Sequence, residues 1–140
     1  MSAEFILSNF NKNVFELIPE RENMPLDPSG VYYTIMKKGE PVGVVGFIPS
    51  RFEKNSGFIQ IALIPEYRGR GILRKAEILL AEKHGLKRLY ATIDKDNIPS
   101  ITSHLRAGFR SISKTESTEL RDKGLLDENS IRLVMDIDRG

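Results

Sequence analysis

Residues 57–72, GFIQIALIPEYRGRGI, decide the fold. The first half, Gly57–Ile64, is nearly all apolar and stops at Pro65, which suits a strand covered on both faces. The second half leads into Ile72–His84. There Ile72, Leu73, Ala76, Leu79 and Leu80 fall on one side at the helical period, while Arg74, Lys75 and Glu82 fall elsewhere. Gly85 is a stop signal. A buried strand therefore runs into an amphipathic helix through Pro65-Glu66-Tyr67-Arg68-Gly69-Arg70-Gly71. The first N–H groups of a helix have no internal partners and sit at the positive end of its dipole. Two glycines let a ligand approach the backbone closely. The turn thus suits a phosphate or diphosphate, with Arg68, Arg70 and Arg74 adding positive charge around it. Gly69 and Gly71 also fit a plain tight turn, and the spacing alone leaves both readings open.

Composition narrows the class. The 140 residues are 40% hydrophobic and 29% charged, values of an ordinary globular chain long enough for one core. No cysteine is present, which excludes disulfide scaffolds, thiol catalysis and Cys-type zinc sites. His84 and His104 do not stand in HExxH spacing, so no metal site is expected. The net charge of +2 is too balanced to argue for a nucleic-acid partner. The N-terminus carries no signal-peptide pattern and no apolar run approaches a membrane span, so a soluble cytoplasmic protein is expected.

Outward from the central stretch, the chain alternates strands and helices. Glu4–Phe10 reads as a strand, and Asn11 caps a helix expected to run to about Asn23. Val31–Met36 and Val42–Ile48 form a hairpin around Lys38-Gly39-Glu40-Pro41. Arg88–Asp94 is a strand, and Asn97 opens a short helix with Pro99 in its first turn and Gly108 at its end. Phe109–Thr115 and Ser130–Asp136 read as strands, with Glu116–Asn129 a polar loop. The expected architecture is α/β: residues 1–140 form one domain, a mixed sheet of about six to seven strands flanked by helices.

A P-loop is absent, and the Rossmann pattern GxGxxG would need glycine where Arg74 stands. The turn instead resembles motif A of the GNAT acyl-CoA N-acyltransferases, Arg/Gln-x-x-Gly-x-Gly/Ala, which Arg68 and Gly71 match. Downstream, Asn97-Ile98-Pro99-Ser100 with Ala107-Gly108-Phe109 resembles that family's second motif, one helix and one strand further on. The resemblance spans Val31 to Phe109.

The resemblance implies acetyl-CoA as cofactor and a splay between the fourth and fifth strands, Gly57–Ile64 and Arg88–Asp94. It implies that the pantetheine arm pairs with the free backbone of Ile61, Ala62 and Leu63 by strand addition. The diphosphate would sit on the amides of Gly69, Arg70, Gly71, Ile72, Leu73 and Arg74, and Asn97 would bond near the arm. Asn97 also reads as a plain N-cap.

Two positions depart from the pattern. Leu73 stands where the second Gly or Ala is usual, on the apolar face, so its side chain is expected in the core. The family usually has a Tyr seven residues after the Asn, which protonates the departing thiolate; here that residue is His104. A His can also donate a proton, with an ordinary pKa of about 6.5. His104 is the expected acid; a solvated surface His is the plainer reading. His84, before Gly85, reads as a charge partner of its helix's C-terminus.

A base is less clear. Deprotonating a lysine-like amine at pH 7 costs roughly 4–5 kcal/mol. Some family members place an acid on the strand that here reads Tyr90-Ala91-Thr92-Ile93, and Thr92 cannot serve. Glu53 and Asp94 remain, each also readable as ordinary surface charge.

The expected activity is acetyl transfer by direct attack of a primary amine, on a small molecule or a protein. The alternative is a catalytically weak acyl-CoA-binding sensor or interaction module. Arg68, Arg70, Arg74, Lys75 and Lys87–Arg88 read as a helix face and phosphate ligands, not a nucleic-acid surface. Exposed edges of the tail strands are suited to pairing two subunits into a homodimer.

Overall fold

The computed structural model describes residues 4–19 and 21–137. Seven strands form one sheet: β1 (Phe5–Asn9), β2 (Val31–Lys37), β3 (Glu40–Pro49), β4 (Ser56–Leu63), β5 (Arg88–Asp94), β6 (Arg110–Ser111) and β7 (Ser130–Asp136). Their order across the sheet is β1-β2-β3-β4-β5-β7-β6. Among the described residues only β4 and β5 pair in parallel; the other neighbours are antiparallel. Four helices flank the sheet: α1 (Lys12–Glu16), α2 (Ile72–His84), α3 (Ile98–Arg106) and α4 (Lys114–Asp122).

Strand β4 is covered on both faces, as its apolar run predicts. Ile59, Ile61 and Leu63 pack toward the main core beneath α2, with Ile72, Ala76 and Leu80. Ala62 packs on the other face, against Val14, Ile18, Met24 and Val44. Period-two alternation sorts the side chains this way.

Three segments differ from the sequence reading. Helix α1 ends at Glu16, with a separate 3-10 turn at Arg21–Asn23. Pro19 is the reason: it has no N–H to donate and disfavours a helical residue before it. Glu20 of the expected helix lies outside the described residues. The strand expected over Phe109–Thr115 is only Arg110–Ser111, and the expected polar loop opens with α4. Ser113 ends the strand by capping that helix: its Oγ accepts from the Glu116 N–H at 3.1 Å and donates to Glu116 Oε1 at 3.3 Å. The Ser-x-x-Glu spacing is that of a capping box, with the glutamate returning to the serine hydroxyl here.

Candidate functional site

Strands β4 and β5 pair only at Ser56↔Arg88, Gly57↔Leu89 and Phe58↔Tyr90. Beyond that they part, because β3 holds β4 through Leu63 and β7 holds β5 through Asp94. The Ile64 N–H donates to the Val42 carbonyl at 2.9 Å. Alternation along an antiparallel ladder then turns the main-chain groups of Ile61 and Leu63 to the open edge. The backbone of Ala62 is turned to β3 instead. Of the three residues expected to offer free backbone, Ile61 turns both groups to the open edge, Leu63 turns its N–H there while its carbonyl accepts from Arg68 Nε, and Ala62 faces β3.

The open edge lines a cleft of about 1730 Å3. Its wall also includes Arg68, Gly69, Gly71 and Ile72 to Arg74 of the glycine turn, and Asn97, Ser100 and His104 of α3. Gly71 is the N-cap of α2 and brings no side-chain hydrogen bond. Gly69 and Gly71 have φ of 76° and 74°. That left-handed conformation is what requires glycine. A Cβ at either would meet nothing within 4 Å, so the turn faces open space. No side chain caps the opening amides of α2, which fits a bound anion.

The arginines divide. Arg68 and Arg70 are exposed beside the turn. Arg68 Nε donates to the Leu63 carbonyl at 3.2 Å, and the Arg70 guanidinium lies 5.7 Å over the Tyr67 ring. Arg74 has a second attachment. Its guanidinium donates to the Ala107 carbonyl and reaches Met135 Sδ at 3.9 Å, tying the first turn of α2 to the end of α3. Arg74 is nonetheless exposed and lines the cleft. Leu73 is half-buried against the main core, as expected.

On the α3 side, Asn97 caps the helix, its Oδ1 accepting from the Ser100 N–H at 3.4 Å. His104 is buried, where a surface position had been the plainer reading. Its Nδ1 donates to the Ser100 carbonyl at 2.9 Å, and its Nε2 lies 3.2 Å from Oε2 of Glu77, a fully buried residue of α2. Burial pushes the Glu77 carboxyl up, against the pull of His104. Burial also pushes the imidazole down, but the hydrogen bond and charge of Glu77, with the Ser100 carbonyl, outweigh it and leave His104 raised. The sequence reading missed Glu77. The available signal was a glutamate between Leu73 and Leu80, at the edge of the apolar stripe.

The base candidates separate too. Glu53 accepts from Arg88 Nη1 at 2.9 Å and from the Tyr90 hydroxyl, at the paired end of β4 and β5, away from the splay. Asp94 and Asp96 line the cleft. Thr92 lines it as well, and its Oγ1 accepts from Arg132 Nε at 2.8 Å. His84 bonds the Tyr33 hydroxyl at 2.8 Å and packs on Phe47, and burial with neighbouring Lys83 lowers its pKa, which works against the expected charge partnership with the helix end.

A split sheet beside an uncapped helix N-terminus defines an α/β domain shaped for a long ligand with an anionic segment. Residues 4–109 match the model of the acetyltransferase (GNAT) family, and the chain belongs to that family. The cofactor of the family is acetyl-CoA. Solved structures share the fold. Campylobacter jejuni N-acetyltransferase PseH in complex with acetyl coenzyme A is 18% identical, with TM-score 0.67, covering 96% of this chain and 99% of that one. A Bacillus subtilis acetyltransferase in complex with CoA is 18% identical, with TM-score 0.65, covering 98% and 100%. A chimera of Vibrio cholerae spermidine N-acetyltransferase SpeG and hSSAT is 14% identical, with TM-score 0.67, covering 96% of each chain. No curated protein sequence matches this one. No helix among the described residues is long and apolar enough to cross a membrane.

Proposed function

We propose that the chain is an N-acetyltransferase that moves an acetyl group from acetyl-CoA to a primary amine by direct attack. The observation that carries this is one cleft lined by both the open β4 edge and the uncapped start of α2. Acetyl-CoA supplies an activated thioester carbonyl, and no enzyme nucleophile is needed.

The chain's own residues do the rest. The amides from Gly69 to Arg74 hold the diphosphate, and the open-edge groups of Ile61 with the Leu63 N–H meet the pantetheine arm and its thioester. The Leu63 N–H polarises the carbonyl that is attacked. Asn97 bonds at the rim. Asp94, on the wall of the cleft, takes the proton of the acceptor ammonium through water. His104 returns a proton to the leaving sulfur. Holding the reactants together supplies the larger part of the acceleration.

A polyamine, a free amino acid and a peptide amino terminus are the acceptors to test, starting with the polyamine because the Vibrio-derived relative is named for spermidine. A saturating excess of acetyl-CoA should raise the melting temperature by linkage, about 2.7 kcal/mol at a hundredfold excess over Kd. Gly71→Glu should abolish that shift. Absence of a shift in the unaltered chain overturns the reading. One observation favours the sensor alternative: both ring nitrogens of His104 are already hydrogen-bonded. A thermal shift without thiol release from any of the three amines would select it.

A further inference from the structure

Glu77 is a carboxylate with no exposed surface, set midway along α2 and facing His104. Its Oε2 contacts His104 Nε2, while its Oε1 has no hydrogen-bond partner. Phe109 packs edge-on against the imidazole at 5.0 Å between ring centres. Around the pair, β5 presents Ala91 and Ile93 and β7 presents Leu133 and Met135 to the same core. Arg74, the cation between α2 and α3, is held at the Ala107 carbonyl. Among the described residues, neither member has another ion pair.

The hydrogen-bond roles follow from the partners. A carbonyl only accepts, so Nδ1 carries hydrogen toward Ser100. The Nε2–Oε2 contact then needs one further proton, on the ring or on the carboxylate. Without it, a carboxylate would face a ring lone pair in dry protein; with a second, a net positive charge would be buried. The pair is therefore a one-proton unit. Its two ends differ in access. Nε2 is turned inward to Glu77, which is off the cleft wall, while Nδ1 is turned to Ser100, a residue that lines the cleft with His104; Nδ1 is thus the nitrogen on the cleft's side of the ring.

Building on the acetyl transfer assigned above, we propose that Glu77 is a positioning residue that holds the inward N–H of His104 so that the cleft-side N–H can be released. In that step the Nδ1–H bond breaks and the departing sulfur takes the proton. The ring is left neutral, with Nε2–H donating to the Glu77 carboxylate. Solvent then returns a proton to Nδ1. A carboxylate behind an imidazole fixes both tautomer and orientation.

Glu77→Gln separates this role from mere packing. A glutamine amide can donate to Nε2 while Nδ1–H still bonds Ser100, so every hydrogen bond survives around a neutral ring. Nitrogen-15 labelled histidine in the full chain, with His84→Gln assigning the second ring, reads the protonation of His104 directly. The native ring should be protonated on both nitrogens at pH 7. In Glu77→Gln its midpoint should fall by about one pH unit or more. Thiol release at pH 8 should drop about tenfold or more, with less loss at pH 6, while the acetyl-CoA thermal shift is unchanged. A native His104 that is neutral at pH 7, or a midpoint unaltered in Glu77→Gln, overturns the proposal. The native spectrum decides even if the variant fails to fold. A native chain that binds acetyl-CoA but acetylates none of the amines overturns the transfer reading instead, and proton delivery with it. An unaltered titration beside normal turnover removes Glu77 alone.

Discussion

Single residues in the cleft wall carry opposed demands of stability and chemistry. His104→Phe should leave the Kd for acetyl-CoA near its native value and lower turnover, measured by calorimetry and thiol release. The same change strands a buried carboxylate, and breaking a buried ion pair by removing one partner costs about 3–5 kcal/mol. Urea unfolding should show that loss. The double variant Glu77→Leu with His104→Phe should recover most of it, because no unpaired charge remains; equal instability of the single and double variants would sink the buried-pair account. Gly108 is a second such position. Its φ is 110°, and a Cβ there would stand 2.6 Å from Arg74 Nη1. Gly108→Ala should therefore lose about 1–3 kcal/mol and loosen the link from α2 to α3. The sequence made Gly69, Gly71 and Asn97 legible because their roles are backbone roles, tied to local spacing. Glu77 and the tie from Arg74 to α3 were not legible, since each is defined by a partner from a distant part of the chain, His104 and the Ala107 carbonyl.

At the scale of elements, strong patterns were read correctly and weak ones were not. Helix α2 and strands β4, β5 and β7 follow from apolar runs or stripes, each bounded by a turn residue such as Gly85 or Pro65. Helix α4 has no buried residue, so no apolar stripe announces it. Its one signal was Ser113 as N-cap with Glu116 three residues on. Ser113→Ala should cost about 1 kcal/mol of local stability. Amide exchange of α4 should quicken while that of α2 stays unchanged. An α4 equally protected in the variant would mean that contacts beyond the cap hold it.

Across the whole molecule, the pair joining α2 to α3 couples folding to pH. Both of its groups are raised, by burial for Glu77 and by the carboxylate, against burial, for His104. The folded chain therefore keeps a proton that the unfolded chain releases above about pH 6.5. Stability should be full below that value and decline as pH rises through the folded-state range, by up to about 1.4 kcal/mol per pH unit. Melting curves from pH 6 to 9 should be flatter for the Glu77→Leu, His104→Phe double variant; parallel curves would show that the pair does not set the slope. The gap between β4 and β5 has a further consequence. The main-chain groups of Ile61 and the Leu63 N–H, which neither β3 nor β5 pairs, are a sticky margin, ready to recruit an extended segment of a neighbouring chain. Occupancy by the pantetheine arm would shield that margin, so cells starved of the thioester would hold this protein in its most clump-prone form.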